Sequence, residues 1–505
     1  MRPFVENFPF FCIFLAMVAG IVSAVLPSGR AAWRLTLGIC AADSLLSAAV
    51  LVYTMQGHVS FLYTMGRFPA PFGNAIQGGP WQALMAMTFS MVMGLSLLGG
   101  ARDLFHDVKP DRQPLYFTMT DMVLASLLAL TYTTDVFTGY VFIEISTIAA
   151  CALVMAKDTG PNLIATLRYL FMSLLGSGMF LIGLTLLNSI TGYLLMPSLA
   201  QSVAGLVKAG AYRLPLTVSL GLMLVGLGVK SAMFPFHLWL PDAHGGATTA
   251  SSAILSGLVL KGYIALMIVL MMRVFSMELL RELGLINVLL AFGLLGMIAA
   301  SLAALREHHV KRMLAYSSVA QIGYIFMGLG LGSLDGLTAS CFHILVHACC
   351  KPLLFCCAGR LSAVSVHHHS LRNLRGSAYR DVIAGVGFTV GALSMIGIPL
   401  FGGFVSKLYF ASASLHSRRM VLVLLGIALS TVLNALYYVP AVLSIWGIAP
   451  EELKAEIRER GEPEVLRFDR CFAVSALVLI AGVVVLGIFY HPVIDALTVG
   501  IELLK

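Results

Sequence analysis

Of the 505 residues, 59% are hydrophobic and only 11% are charged, well under the roughly 25% charged residues of soluble domains, which excludes a water-soluble globular protein. The net charge of +8 would suggest nucleic acid only if the basic residues formed a water-facing patch; they sit mostly in short loops between apolar stretches, so the lipid bilayer is the expected partner and nucleic acid is not.

Apolar stretches of about 20 residues, long enough to cross a ~30 Å hydrocarbon layer as helices, recur along the whole chain. In chain order, fourteen spans are predicted near 10–27, 34–54, 82–100, 115–133, 136–156, 163–188, 214–239, 247–272, 284–304, 309–331, 335–359, 381–412, 420–446 and 471–490. The first, FFCIFLAMVAGIVSAVL, has the flavour of a secretory signal. Its length, the lack of a convincing A-x-A site and the spans that follow directly favour a retained helix. The longest polar interruptions, 55–80, 189–213 and 447–470, are too short for a separate folded domain, so residues 1–505 read as one all-α polytopic membrane domain. The segment EELKAEIRERGEPEVLRFDR at 451–470 reads as a solvated loop or as a short surface helix broken at Gly461 and Pro463.

The loops also set an orientation. With both termini outside, the inward side collects about 19 Lys and Arg, among them Arg102, Lys109, Arg112, Arg306, Lys311, Arg312, Arg372 and Arg375, against about 9 outside. The expected location is therefore the cell (inner) membrane with periplasmic termini. Nine cysteines form no C-x-x-C-x-x-C cluster, and Cys341, Cys349, Cys350, Cys356 and Cys357 fall within or at the end of one apolar helix. They read as small buried hydrophobes, and no cofactor is expected.

Two spans contain helix breakers beside charged groups: LGVKSAMFPFHLWLPDAH at 227–244 and LSMIGIPLFGGFVSKLYF at 393–410. Proline removes a backbone donor and glycine loosens the helix; in lipid, such breaks are tolerated where the freed backbone is buried in protein or lines a wet cavity. They fall in spans 7 and 12, five apart, the pattern of two inverted five-helix repeats. Those repeats would be spans 4–8 (115–272) and 9–13 (284–446). The halves show no letter-by-letter identity.

A charge at the bilayer centre costs several kcal/mol, so ionisable groups there usually face the protein interior and serve a function. Glu144 sits in mid-span, Lys230 at the first break with His237 seven residues on, Lys261 inside ILSGLVLKGYIALM, and Lys407 at the second break. His343, His347 and Lys351 lie four apart and share one helix face. Each has a plainer reading. Glu144 and Lys230 can be a structural ion pair, Lys261 and Lys407 can snorkel to an interface, and the two histidines can make helix–helix hydrogen bonds. A zinc site at HILVH lacks the H-E-x-x-H glutamate and a third ligand, so no metal is expected. His367, His368 and His369 read as a solvated run in a basic loop. Asp43 and Asp121 lie in spans with no partner evident in sequence.

Three long motifs, KSAMFPFHLWLPDAHGGATTASSAILSGLVLKGY at 230–263, KRMLAYSSVAQIGYIFMGLG at 311–330 and FHILVHACCKPLLFCCAG at 342–359, occur together with the glutamate of span 5. With these, the chain over roughly 115–415 resembles the antiporter-like subunits of respiratory complex I, Mrp cation/proton antiporters and membrane-bound hydrogenases. The resemblance implies fourteen helices and two half-channels joined by a horizontal line of polar groups. By position it assigns Glu144, Lys230, Lys261, His343, His347 and Lys407 to the proton path, with lysine at the span-12 position where one complex I subunit carries glutamate. It also implies partner subunits of a hydrogenase, complex I-like or Mrp complex, protons or Na+ as the transported ion, and energy from redox chemistry or a cation gradient in those partners. The small Mrp subunit type and the hydrogenase-associated type both fit the residues. The rival classes are a stand-alone secondary transporter and a purely structural subunit.

Overall fold

In hydrocarbon an unpaired backbone amide costs several kcal/mol, so each apolar stretch closes its own hydrogen bonds as a helix. The structure, a computed structural model, describes residues 4–68, 73–365, 369–448 and 468–504 together with Glu451, Ala455 and Glu459. His367, His368 and most of the charged segment 451–470 lie outside the described residues.

The spans form α1 (Phe8–Val25), α2 (Gly29–Gly57), α3 (Pro80–Gly99), α4 (Gln113–Tyr132), α5 (Val136–Val154), α6 (Gly160–Thr191), α7 (Arg213–Lys230) and α8 (Thr249–Phe275). They continue as α9 (Leu285–Arg306), α10 (Val310–Gly330), α11 (Leu334–Ala363), α12a (Val382–Ile396), α12b (Gly402–Ser414), α13 (Met420–Ile445) and α14 (Arg470–Ile488). A short helix α15 (His491–Glu502) follows. Thirteen helices among the described residues are long and apolar enough to cross a membrane, and the remaining predicted span is the divided α12. Turn chemistry sets the starts: Ser28, Asp135 and Ser333 cap α2, α5 and α11 by accepting the amides of Ala31, Thr138 and Gly336 at 3.3, 2.5 and 3.1 Å.

Both predicted breaks are present. The helix of span 7 ends at Lys230, and a turn carrying Pro235 leads to a separate short helix, Trp239–Gly246, so the predicted end at 239 is corrected to 230. Proline there cannot donate to the ladder. Between α12a and α12b, Gly397 adopts a left-handed φ of 94°, a conformation that L side chains resist, and ends α12a. The helix α8 is distorted by π-turns at Leu255–Val259 and Met271–Phe275. In the first, a Cβ on Gly257 would meet Pro352 Cγ of α11 at 2.6 Å, so glycine permits the close approach of these two helices.

The helices α8, α10 and α11 are buried along nearly their whole length and form the centre, whereas α1, α2, α13 and α14 turn wide apolar faces outward. Two polar interruptions hold structure that their composition did not announce. A hairpin pairs Phe61–Thr64 with Ala75–Gly78, and Met196–Lys208 forms an amphipathic helix.

The opposite end gathers ion pairs. Asp242 bridges Arg168 and Arg312, the latter at 2.6 Å, and Arg312 also reaches Glu307 at 3.0 Å. Lys157 meets Asp107 at 2.6 Å, and hydrogen bonds from Lys109 and Arg112 hold the Asp158 carboxyl below the usual carboxylate range. Asp381 has two roles there. It caps α12a by accepting the Ala384 amide at 3.1 Å, and it pairs with buried Arg360 at 2.8 Å. Asp381→Ala is therefore expected to destabilise the protein by about 2–4 kcal/mol, because it removes the α12a cap and leaves the buried guanidinium with only the more distant Asp469, at 3.9 Å, as a carboxylate partner. Thermal unfolding of the purified complex checks this, and an unchanged midpoint would contradict it.

Candidate functional site

The line of buried ionisable groups starts where α5, α6 and α7 meet. Lys230, fully buried at the end of α7, lies 3.9 Å from Glu144 Oε1 on α5. Its Nζ donates to Thr147 Oγ1 at 2.6 Å and to the Ser173 carbonyl at 3.3 Å, and it sits 5.4 Å from the centre of the Tyr263 ring. Glu144 is 26% exposed, on the flank of the bundle. Room for the lysine stem comes from Gly176 on α6, where a Cβ would approach Lys230 Cγ to 2.9 Å. Tyr263 continues the polar contacts by bonding Ser146 at 2.9 Å.

The middle of the line lies between α8, α10 and α11. Lys261, completely buried just after the first π-turn, donates to the carbonyl of Ser256 within that turn. It faces His347 and Lys351 of α11. His343 and His347 lie one turn apart with tilted rings whose centres are 6.2 Å from each other, so the predicted common face is formed. His343 Nδ1 meets Ser406 Oγ of α12b at 2.9 Å. His343 Nε2 and both nitrogens of His347 are buried with no protein hydrogen-bond partner. Orphaned buried groups of this kind cost about 1–3 kcal/mol each unless water satisfies them, which favours a hydrated seam.

Lys407 closes the line. Its Nζ donates to the Ile396 carbonyl, released at the α12 break, at 2.6 Å and to Thr431 Oγ1 of α13 at 3.1 Å. Tyr324 of α10 stands between the second break and the histidines, its ring centre 5.2 Å from Lys407 Nζ and 5.7 Å from that of His343. With Lys261 at 0% and Lys407 at 7% exposure, neither side chain snorkels.

Around Lys351, already placed on the histidine face, the structure adds groups that the sequence did not single out. Lys351 donates to Tyr438 OH at 3.2 Å, and Tyr438, Ser317, Tyr437 and Asn434 are linked in turn at 2.8, 3.0 and 2.7 Å. Asn434 reaches the Met395 carbonyl at 3.4 Å, beside the carbonyl that binds Lys407. The signal that could have found this side branch is Ser430, Asn434 and Tyr437 at helical spacing on a largely apolar α13. Lys311, counted above with the loop charges, is buried and donates to the Ala247 carbonyl at 3.2 Å. His237 and His369 stand apart from the line: His237 stacks on Phe234, and His369 bonds Ser362 at 2.9 Å. Among the described residues, no group of three or more His, Cys, Asp or Glu side chains could hold a metal ion.

Residues 133–433, which contain this whole line, match the family described as NADH:quinone oxidoreductase/Mrp antiporter, TM. The chain belongs to this family. It is 30% identical to NADH-quinone oxidoreductase subunit N of Desulforudis audaxviator over 89% of this chain and 88% of that one. With a Na(+)/H(+) antiporter subunit of Alkalihalophilus pseudofirmus it shares 26% identity over 86% of both. A chain in the structure of the membrane-bound sulfane sulfur reductase, an archaeal respiratory membrane complex, superposes with a TM-score of 0.86 at 25% identity, covering 98% of each chain. A chain of the Mrp complex from Dietzia sp. shares the fold, with a TM-score of 0.85 at 22% identity over 99% of this chain and 97% of that one. The antiporter-like subunit is thus a multi-pass membrane protein whose relatives belong to multisubunit membrane complexes.

Proposed function

We propose that this antiporter-like subunit carries protons across the cell (inner) membrane as part of a multisubunit complex, driven by redox chemistry or a cation gradient in its partners. The observation that carries the reading is the line that runs from half-buried Glu144 through buried Lys230, Lys261, His347, His343 and Lys407 between two broken helices in a chain of this family. A buried lysine gives up its proton more readily than one in water, and a nearby carboxylate reverses that. Lys230 therefore holds a proton while Glu144 is close and passes it inward when the pair opens. Lys261 and the histidines then relay it to Lys407. The broken ends of α7 and α12a admit water at either half. The repeats 115–272 and 284–446 would each supply one half-channel, each with its own break and its own lysine.

A second reading has support of its own. Relatives include Na(+)/H(+) antiporter subunits, so the same line can serve sodium–proton exchange without a redox partner. Proton movement by the whole complex in proteoliposomes, followed with and without sodium, tests the function. Transfer that survives neutralising Glu144 and Lys407 would return the chain to the structural or solute-carrier classes.

The orientation rests on the basic loops. Cysteines introduced at 101–114, 305–312 and 360–380 are expected to react in intact cells only with membrane-permeant reagents. Labelling by an impermeant reagent from outside would reverse the topology.

A further inference from the structure

Away from the central line, α1, α2 and α4 enclose a second set of buried polar groups. Ser23 of α1, Thr36, Asp43 and Ser47 of α2, and Asp121 of α4 are all fully excluded from solvent. Thr36, Cys40, Asp43 and Ser47 recur on one face of α2, and Asp121 and Tyr132 lie three turns apart on α4, so the stripe runs roughly 16 Å along the helices. Asp121 Oδ2 accepts from Ser23 at 3.0 Å and from Thr36 at 3.1 Å, while its Oδ1 has no partner. Neither carboxyl oxygen of Asp43 has a hydrogen-bond partner. The Tyr132 hydroxyl, also buried, faces Ser47, Asp43 and Cys12.

A polar seam that only glues helices together matches its donors to its acceptors. This one leaves three carboxyl oxygens unmatched, and among the described residues no Lys, Arg or His pairs with either aspartate. The titratable groups facing the pair are Cys12, Cys40 and Tyr132; α3 carries none, and Arg30 and Arg34 at the head of α2 are exposed. Two ionised carboxylates without a cation are far too costly in such a place, so something positive must neutralise them. Sodium prefers an all-oxygen shell, and the thiols of Cys12 and Cys40 make this lining a poor one for a hard cation. A proton needs only one oxygen.

We infer that Asp43 and Asp121 form a proton-binding pair in the α1–α2–α4 bundle, separate from the Glu144 to Lys407 line, which exchanges with the aqueous phase and takes part in transfer. The test uses dicyclohexylcarbodiimide, which adds to protonated carboxyls in apolar surroundings, on the wild-type complex in membrane vesicles, with adducts mapped by mass spectrometry. Labelling of Asp43 or Asp121 is expected, and it should fall roughly tenfold or more as the medium is taken from acid to alkaline pH. Adducts at Glu144 are scored separately, so the central line can fail without this pair failing. No adduct at either aspartate, labelling that ignores the pH of the medium, or protection by sodium at constant pH would each overturn the inference. In the nearly isosteric D43N/D121N double variant, proton flux is expected to fall roughly tenfold in an assembled complex; wild-type flux would remove the pair from transfer.

Discussion

Lys407→Ala is expected to reduce proton movement by roughly a hundredfold or more while leaving the complex assembled. The lysine is the last titratable group before the α12 break, and its Nζ is held by the Ile396 carbonyl at 2.6 Å and by Thr431 at 3.1 Å. Alanine removes the carrier but leaves no new buried charge; the Ile396 carbonyl loses a partner at a cost of about 1–3 kcal/mol, too little to unfold a helix bundle. Lys407→Arg should fail as well, although it keeps the charge, because a guanidinium does not deprotonate in proteins. The arginine variant therefore separates two roles: a lysine that only anchors the break would be replaced with little loss. Proton flux in proteoliposomes, with assembly checked by size-exclusion chromatography, decides. Wild-type flux from both variants would take Lys407 out of the path.

Glu144→Gln and Lys230→Ala should each abolish most proton transfer, and for a related reason. At 3.9 Å the pair is at the limit of direct contact, and Lys230 Nζ already has two neutral partners in Thr147 and Ser173. A small shift of α5 against α7 thus changes the attraction felt by the proton together with the Thr147 hydrogen bond, while the Ser173 carbonyl of α6 keeps its hold on Lys230. The glutamine substitution would remove that attraction permanently, and the alanine substitution would remove the carrier. Because both disable one switch, their effects should not multiply.

Much of this line was legible because hydrocarbon makes charge conspicuous: Lys230, Lys261 and Lys407 stand out in apolar stretches, and Pro235 and Gly397 mark the breaks beside them. What could not be read was set by packing between distant segments. Tyr324 belongs to the line only because α10 lies against α12b, and Tyr438 only because α13 crosses Lys351. Lys311 sits at the edge of a span, where composition cannot separate a loop charge from one tucked under the Ala247 carbonyl. The Met196–Lys208 helix was missed for the opposite reason: its polar face made the segment resemble a loop, although its apolar side is buried. Asp43 and Asp121 gave a sign in sequence, two acids within spans, but their shared surroundings come from three helices.

Everything downstream depends on Glu144 and Lys230 working as one proton switch at the head of a single line. Proton flux into proteoliposomes holding the whole complex, compared for the wild type, E144Q, K230A and the double variant at equal assembly, probes that coupling without intermediaries. A single switch requires that each single variant lose most of the flux and that the double variant be little worse than either. Normal pumping by E144Q, or losses that multiply independently in the double variant, would contradict it.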